Sequence, residues 1–262
     1  MAESHSERRM KQTTLTAAFL LSLGWMLASC GNKYPPVHEP PTPTIVEEVI
    51  TPAEEEADNT SLRTYDNAED TVMFKSFVFA SQPIPKDVEL RMMGCSLPDN
   101  AKITIDQLRY LTLPFYDFDG NIQNGEMVCN KTIAHDLLCV FKALFSQAYP
   151  IYSIRLVDDF DADDEASMQA NNTSCFNYRN KSGVNMLSRH AYGMAVDINP
   201  LQNPCVKGKR IRPATAEEYS DRSRDFEHKI DENDFCKQVF ASYGFHWGGR
   251  WRSTKDYQHF EK

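Results

Sequence analysis

An α+β domain, with an antiparallel sheet and flanking helices, is the fold class this sequence predicts. Three observations predict it. Two extended runs meet at a turn signal, a strong helical periodicity follows them, and beyond it helices and strands recur without strict alternation.

The extended runs are Leu108 to Phe118 and Ile122 to Cys129, on either side of Asp119-Gly120, a dipeptide suited to a tight turn. The helix comes next. Asn130 stands as its N-cap, and Ile133, Leu137, Val140, Phe141, Leu144, Phe145 and Ala148 recur at helical spacing until Pro150 stops it. Such an apolar stripe is a packing element. Ile151 to Val157 then reads as a strand, with Tyr152, Ile154 and Leu156 on one face and Ser153, Arg155 and Val157 on the other. After Gly193 a further alternation sets Met194, Val196 and Ile198 against Ala195, Asp197 and Asn199. A second helix is predicted from Asp231, its N-cap, to Tyr243, with Gly244 as its stop.

The chain of 262 residues is 41% hydrophobic and 25% charged, enough apolar material for one substantial core. Its net charge is -9, much of it in residues 1–61, and it has no basic stripe. That excludes nucleic acid as a partner, because neutralising phosphates takes clustered Lys and Arg.

Three segments divide the chain. Residues 1–29 read as a targeting signal: Arg8, Arg9 and Lys11 precede the apolar stretch from Thr14 to Ala28, which is too short to span a bilayer comfortably. It ends in Leu27-Ala28-Ser29-Cys30-Gly31, which resembles the lipobox of bacterial lipoproteins. That resemblance implies lipid on Cys30, an anchor in a membrane leaflet and a place in the cell envelope outside the cytoplasm. Residues 30–70 hold Pro35-Pro36, Pro40-Pro41, Pro43, Pro52 and Glu54-Glu55-Glu56, the composition of an extended, solvated spacer. The folded domain is expected over residues 71–262. It keeps six cysteines, an even number that allows three disulfides or a set of buried thiols; none forms a C-x-x-C pair that would suit a thiolate metal site.

Two clusters carry chemistry. In Ser188 to Pro200, Asp197 lies on the strand face opposite its apolar neighbours, beside the small Ala195, and Gly193 lets the chain bend so that His190 reaches the same spot. Near the end, Phe245-His246-Trp247-Gly248-Gly249-Arg250-Trp251 precedes Asp256-Tyr257-Gln258-His259-Phe260-Glu261. A His and an Asp seven apart, or an aromatic C-terminal strand, says little alone.

Jointly they say more. S-x-H-x-x-G-x-A-x-D, with D-x-x-H-F placing His259 62 residues after Asp197, resembles the zinc D-alanyl-D-alanine carboxypeptidase and L-alanyl-D-glutamate endopeptidase family, which shares its fold with the hedgehog signalling domain. The W-G-G-x-W segment points to the cell-wall branch. The resemblance runs from about Lys131 to Glu261 and implies a zinc peptidase acting on peptidoglycan stem peptides, as a monomer. It assigns His190, Asp197 and His259 as Zn2+ ligands and Asp256 as the catalytic base; Glu261 is the rival base, and its place just beyond His259 suits it better to holding a ligand from behind. Three N/O ligands leave a fourth position for water, as hydrolysis needs. Arg155 takes the place of the family's arginine, which binds a substrate carboxylate or a developing oxyanion; a salt bridge to the acidic run Asp158–Asp164 is the alternative. Ser188 matches a substrate-side position. Trp247 is a candidate for the cleft wall, with core packing as its other reading. Where the endopeptidase branch has Ser and a nearby Gln after the arginine, this chain has Leu156 and a long acidic loop, so no contact is assigned there.

Two other readings fit the residues less well. Non-haem Fe(II) oxygenases also use two His and a carboxylate, but in H-x-D/E spacing, against H-x6-D here. A cell-wall-binding module of the same fold would have lost activity, yet all ligands and a base are present.

Overall fold

The structure is a computed structural model and describes residues 77–181 and 183–262. The targeting signal, Cys30, the spacer and the first residues of the expected domain lie outside the described residues.

A short strand β1 (Ala80–Gln82) and a helix α1 (Lys86–Met92) precede the longest elements. These are β2 (Leu108–Tyr116) and β3 (Ile122–Asn130), which pair antiparallel from Leu108↔Asn130 to Tyr116↔Ile122. Their turn closes on Asp117. Its Oδ1 accepts from the amides of Asp119 and Asn121, and Gly120 takes φ +79, a left-handed conformation that glycine adopts without steric cost. β1 adds to the free edge of β2. Helix α2 (Ala134–Ser146) lays Leu137, Val140, Phe141 and Leu144 on Leu111, Leu113, Phe115 and Met127 of the sheet, all buried. Each such side chain contributes about 1.5–3 kcal/mol of transfer free energy at most.

Two expectations about this half need correction. Asn130 does not cap α2: it ends β3, its side chain accepts from the amide and hydroxyl of Thr132, and the helix begins after Ile133. The expected strand over Ile151–Val157 is cut to β4 (Ser153–Ile154), because Val157 turns inward and opens a 3-10 turn through Phe160. Tyr152 is therefore exposed while Ile154 and Leu156 are buried.

The acidic run after β4 is consumed by structure. Asp158 accepts from Ser96, Asp159 pairs with Arg91 and Arg155, and Asp163 caps α3 (Asp164–Gln169), whose Asp164 pairs with Arg179 and Arg212. Strand β5 (Asn172–Thr173) runs parallel to β4. β6 (Ala195–Asp197) follows, then the hairpin β7 (Cys205–Lys207) and β8 (Arg210–Arg212). Helix α4 (Phe235–Ser242) is capped by Asp234, whose Oδ1 accepts from the amides of Cys236 and Lys237; Asp231, the expected cap, closes the turn before it by accepting from Asn233. The chain ends in β9 (His246–Trp247), β10 (Lys255–Asp256) and β11 (His259–Glu261).

The class is α+β. Instead of one antiparallel sheet, the described residues form three three-stranded antiparallel sheets and the parallel pair β4–β5. Most strands in the second half have two or three residues, too few to extend a common ladder. One pairing links them across the site: Ser174, just past β5, exchanges both backbone hydrogen bonds with Asp197. All six cysteines of the described region are free thiols, and Cys129, Cys175 and Cys236 are buried.

Candidate metal centre

Asp197 is held from both sides of β6. Ser174 binds its backbone on one side, and on the other β11 pairs antiparallel with Asp197 opposite His259. Side chains directly opposite on antiparallel strands share a face and meet. His190 arrives from a separate 3-10 turn, His190–Tyr192, which Gly193 closes at φ +64. A Cβ on Gly193 would stand 2.6 Å from the backbone nitrogen of Asn130, whose amide binds the Gly193 carbonyl, so the turn can dock on β3 only as glycine. Ser188 is buried in the same turn, its carbonyl accepting from Ala191 and its hydroxyl from the amide of His190 at 3.4 Å.

His190, Asp197 and His259 are 3%, 6% and 6% exposed, and one ligand atom from each lies within 4.8 Å of the others. His190 Nε2 is 3.1 Å from His259 Nδ1 and 3.2 Å from Asp197 Oδ2, and His259 Nδ1 is 2.9 Å from Asp197 Oδ1. The far side of each ring fixes its tautomer. Nδ1 of His190 is 2.6 Å from the carbonyl of Cys175, which only accepts, so that nitrogen carries the proton. Nε2 of His259 faces Glu261 Oε2 at 3.3 Å and donates to it. With a cation between them, both rings would be neutral and would turn lone pairs inward, beside a carboxylate. Three acceptors facing one point are stable only around a cation. Two imidazoles and a carboxylate, each ring braced from behind, form a donor set that can hold a metal ion and leave a coordination position open.

The charges agree. Burial works against ionising Asp197, yet the two imidazoles hold its carboxyl far below the usual range. Burial likewise opposes a charge on His259, but its hydrogen bonds to Asp197 and Glu261 prevail and push the imidazole up to about 10. The same bond draws Glu261 below its ordinary value.

Asp256 stands beside this trio without joining it. It lies on β10 opposite Cys205 of β7, whose thiol hydrogen-bonds its carboxylate. Its Oδ1 is inaccessible to solvent and has no hydrogen-bond partner among the described residues. Burial pushes this carboxyl up; His259 opposes the shift and the Asp197 charge adds to it. An inaccessible, unpartnered carboxylate oxygen next to a cation site is suited to take a proton. Gly248 brings the next turn, Gly248–Arg250, against it: a Cβ there would lie 2.7 Å from the Asp256 carbonyl oxygen and 3.3 Å from the His259 Cβ.

The remaining expected site residues divide. Arg155 sits one step past Ile154, whose partner Thr173 precedes Ser174, so its backbone is two strands from Asp197. Its half-exposed guanidinium is taken by Asp159 at 2.8 Å and lies over the Phe160 ring. Trp247 belongs to the core: it is 7% exposed and its indole N–H binds the Tyr257 carbonyl at 2.8 Å. The indole near the trio is that of Trp251, 5.2 Å from the His259 ring. Spacing named neither Trp251 nor Cys205, and the carbonyl of Cys175 leaves no mark in a side-chain pattern. The Gly248-Gly249 doublet was the available signal that backbone there passes close to something.

Residues 182–262 match the model of a family described as D-alanyl-D-alanine carboxypeptidase. The matched segment holds all three members of the trio and Asp256; Arg155 precedes it. Neither the curated proteins nor the solved structures include a match to the chain.

Proposed function

We propose that the chain, which matches the D-alanyl-D-alanine carboxypeptidase family model through residues 182–262, is a zinc peptidase of that family and hydrolyses peptidoglycan stem peptides at the His190–Asp197–His259 centre. One observation carries the reading: three inward-facing acceptors converge beside a carboxylate oxygen that has no other partner. Zn2+ held there by His190, Asp197 and His259 would supply Lewis-acid chemistry for hydrolysis. Asp256 Oδ1 would accept a proton from the attacking water and return it to the leaving amine. Glu261 and the Cys175 carbonyl keep the two imidazoles in the tautomers that point lone pairs inward. Asp197, paired in register with His259, holds the negative charge that balances the ion.

The substrate is a stem peptide ending in D-alanyl-D-alanine. An endopeptidase acting on the L-alanyl-D-glutamate bond is the second reading, and one observation favours it. Arg155, the candidate for gripping a terminal carboxylate, is already engaged by Asp159. A lipid on Cys30 and the spacer behind it would tether the domain to a membrane facing this substrate.

Digestion of muropeptides by the zinc-loaded full chain, read by mass spectrometry, is the test. Free D-alanine is expected from the first reading and stems shortened at L-alanine from the second. Protein that holds one zinc per chain yet produces neither is not a peptidase of this substrate.

A further inference from the structure

We propose that Trp251 is the substrate-side wall of the metal cleft, its indole face packing on the alanine methyl beside the scissile bond and its indole N–H donating to a substrate carbonyl. The inference rests on the peptidase reading above and adds to it the residue that selects the side chain.

Four observations support it. The two tryptophans of W-G-G-x-W have opposite environments: Trp247 is buried with its N–H satisfied, whereas Trp251 is partly exposed and its N–H has no hydrogen-bond partner among the described residues. Trp251 is in ring contact with a member of the trio, its centroid 5.2 Å from that of His259 at an interplanar angle of 54°. Its backbone is fixed in advance. The Trp251 amide binds the Gly248 carbonyl, Lys255 Nζ binds the Gly249 carbonyl at 3.1 Å, and Glu232 grips Arg250 through both carboxylate oxygens. Gly248, finally, lets this turn press against Asp256 and His259, so the ring is delivered beside the base as well as the ligand.

Each follows from ordinary chemistry. An aromatic face held rigid before binding loses little entropy when it meets an apolar group. A donor left free beside a reacting peptide finds a carbonyl, since an extended peptide offers one at every residue. A ring so close to the metal-side imidazole can touch only the residues flanking the bond that is cut.

The test uses the full chain loaded with zinc and two stem peptides, one ending in D-alanyl-D-alanine and one with glycine in place of the alanine beside the scissile bond. Trp251→Ala should keep its zinc and raise KM for the alanine peptide by roughly tenfold to a hundredfold, with kcat changed less, and the preference for alanine over glycine should collapse. Trp251→Phe retains an aromatic face and should keep most of that preference, which guards against a variant that merely misfolds. A binding readout runs beside turnover: on an Asp256→Asn background, titration with uncleaved alanine peptide should change the intrinsic fluorescence, and Trp251→Phe should abolish the change. If the chain cuts the alanine peptide and Trp251→Ala still discriminates alanine from glycine, the wall assignment is wrong and the peptidase reading stands. If nothing is cut but binding is seen and needs Trp251, hydrolysis falls and the wall remains. Failure to bind either peptide sinks both.

Discussion

The β2–β3 hairpin with α2 and the region from Ser167 onward are built on different principles. The first is a long ladder under a helix, and its interior is Leu, Val, Phe and Met. The second has strands of two or three residues, and its interior mixes apolar side chains such as Val196, Phe240 and Phe260 with polar ones: apart from Ser96, every buried polar residue among the described ones lies between Ser167 and His259. Asn171, Asn172, Asn199 and Asn203 each hold a backbone group of another segment, doing what longer ladders would do. The lesson concerns tolerance. Apolar burial is non-directional and accepts small shifts, whereas a net of hydrogen bonds fixes positions, as a centre made of three convergent acceptors requires.

The sharpest way to test that contrast is at the centre. His259→Ala should lose bound zinc and all measurable turnover, while Asp256→Asn should keep zinc, measured by elemental analysis, and lose about 10²–10⁴ in kcat. Zinc loss from Asp256→Asn would make it a ligand and remove it as the base. Next in size is a pair that sets the two regions against each other. Leu137→Ala in the apolar half should cost about 2–5 kcal/mol in urea melts, yet leave zinc affinity of the folded protein unchanged. Gly193→Ala should weaken zinc binding as well as stability, because its Cβ displaces the turn that carries His190. Equal effects of the two on zinc would erase the distinction. Asn172→Ala tests the net itself. It strips partners from the backbone of Arg155 and from Ser167, and should cost about 1–3 kcal/mol.

The smallest effect lies at the seam between the regions. Asp234 caps α4 and accepts from Tyr149, and burial pushes its carboxyl up to about 6. A folded-state value above the unfolded one means that the group's contribution is present in acid and lost as pH rises through about 6. Asp234→Asn keeps the acceptor and removes the charge. It should therefore flatten this part of the stability profile between pH 4 and 6, and above pH 6 exceed the parent by about 1–2 kcal/mol, given a shift of roughly two pKa units shared with solvent. Paired denaturant melts at pH 4.5 and 7.5 would read the difference.

The same contrast explains what the sequence made legible. Two extended runs around a turn dipeptide and period 3.6 over thirteen residues are readable, and the hairpin and α2 fall close to where these signals predict. Two- and three-residue strands have no measurable period, so β5, β7, β8 and β10 were invisible to it. The trio was legible by a different route, the joint spacing of two motifs, which the structure gathers into one cluster. The helix caps differ from the expectation for a local reason. Asn130 and Asp231 are good cap residues placed just before a helix, but each closes the preceding turn. Trp247 and Trp251 sit four apart in one motif; only the fold says which is interior.

The inward-facing lone pairs of His190 and His259 also imply a competitor. A proton seeks the same seat as zinc, and with its imidazole pushed up to about 10, His259 keeps one at neutral pH once a chelator has stripped the protein. Loading is then an exchange in which the ion enters as a proton leaves, so affinity should weaken about tenfold for each unit of acidification. A pH-indicator dye in weak buffer would count the departing protons. Mild acid should thus silence the proposed activity by competing for the ion's place, before it loosens the hairpin and helix of the first half of the described residues.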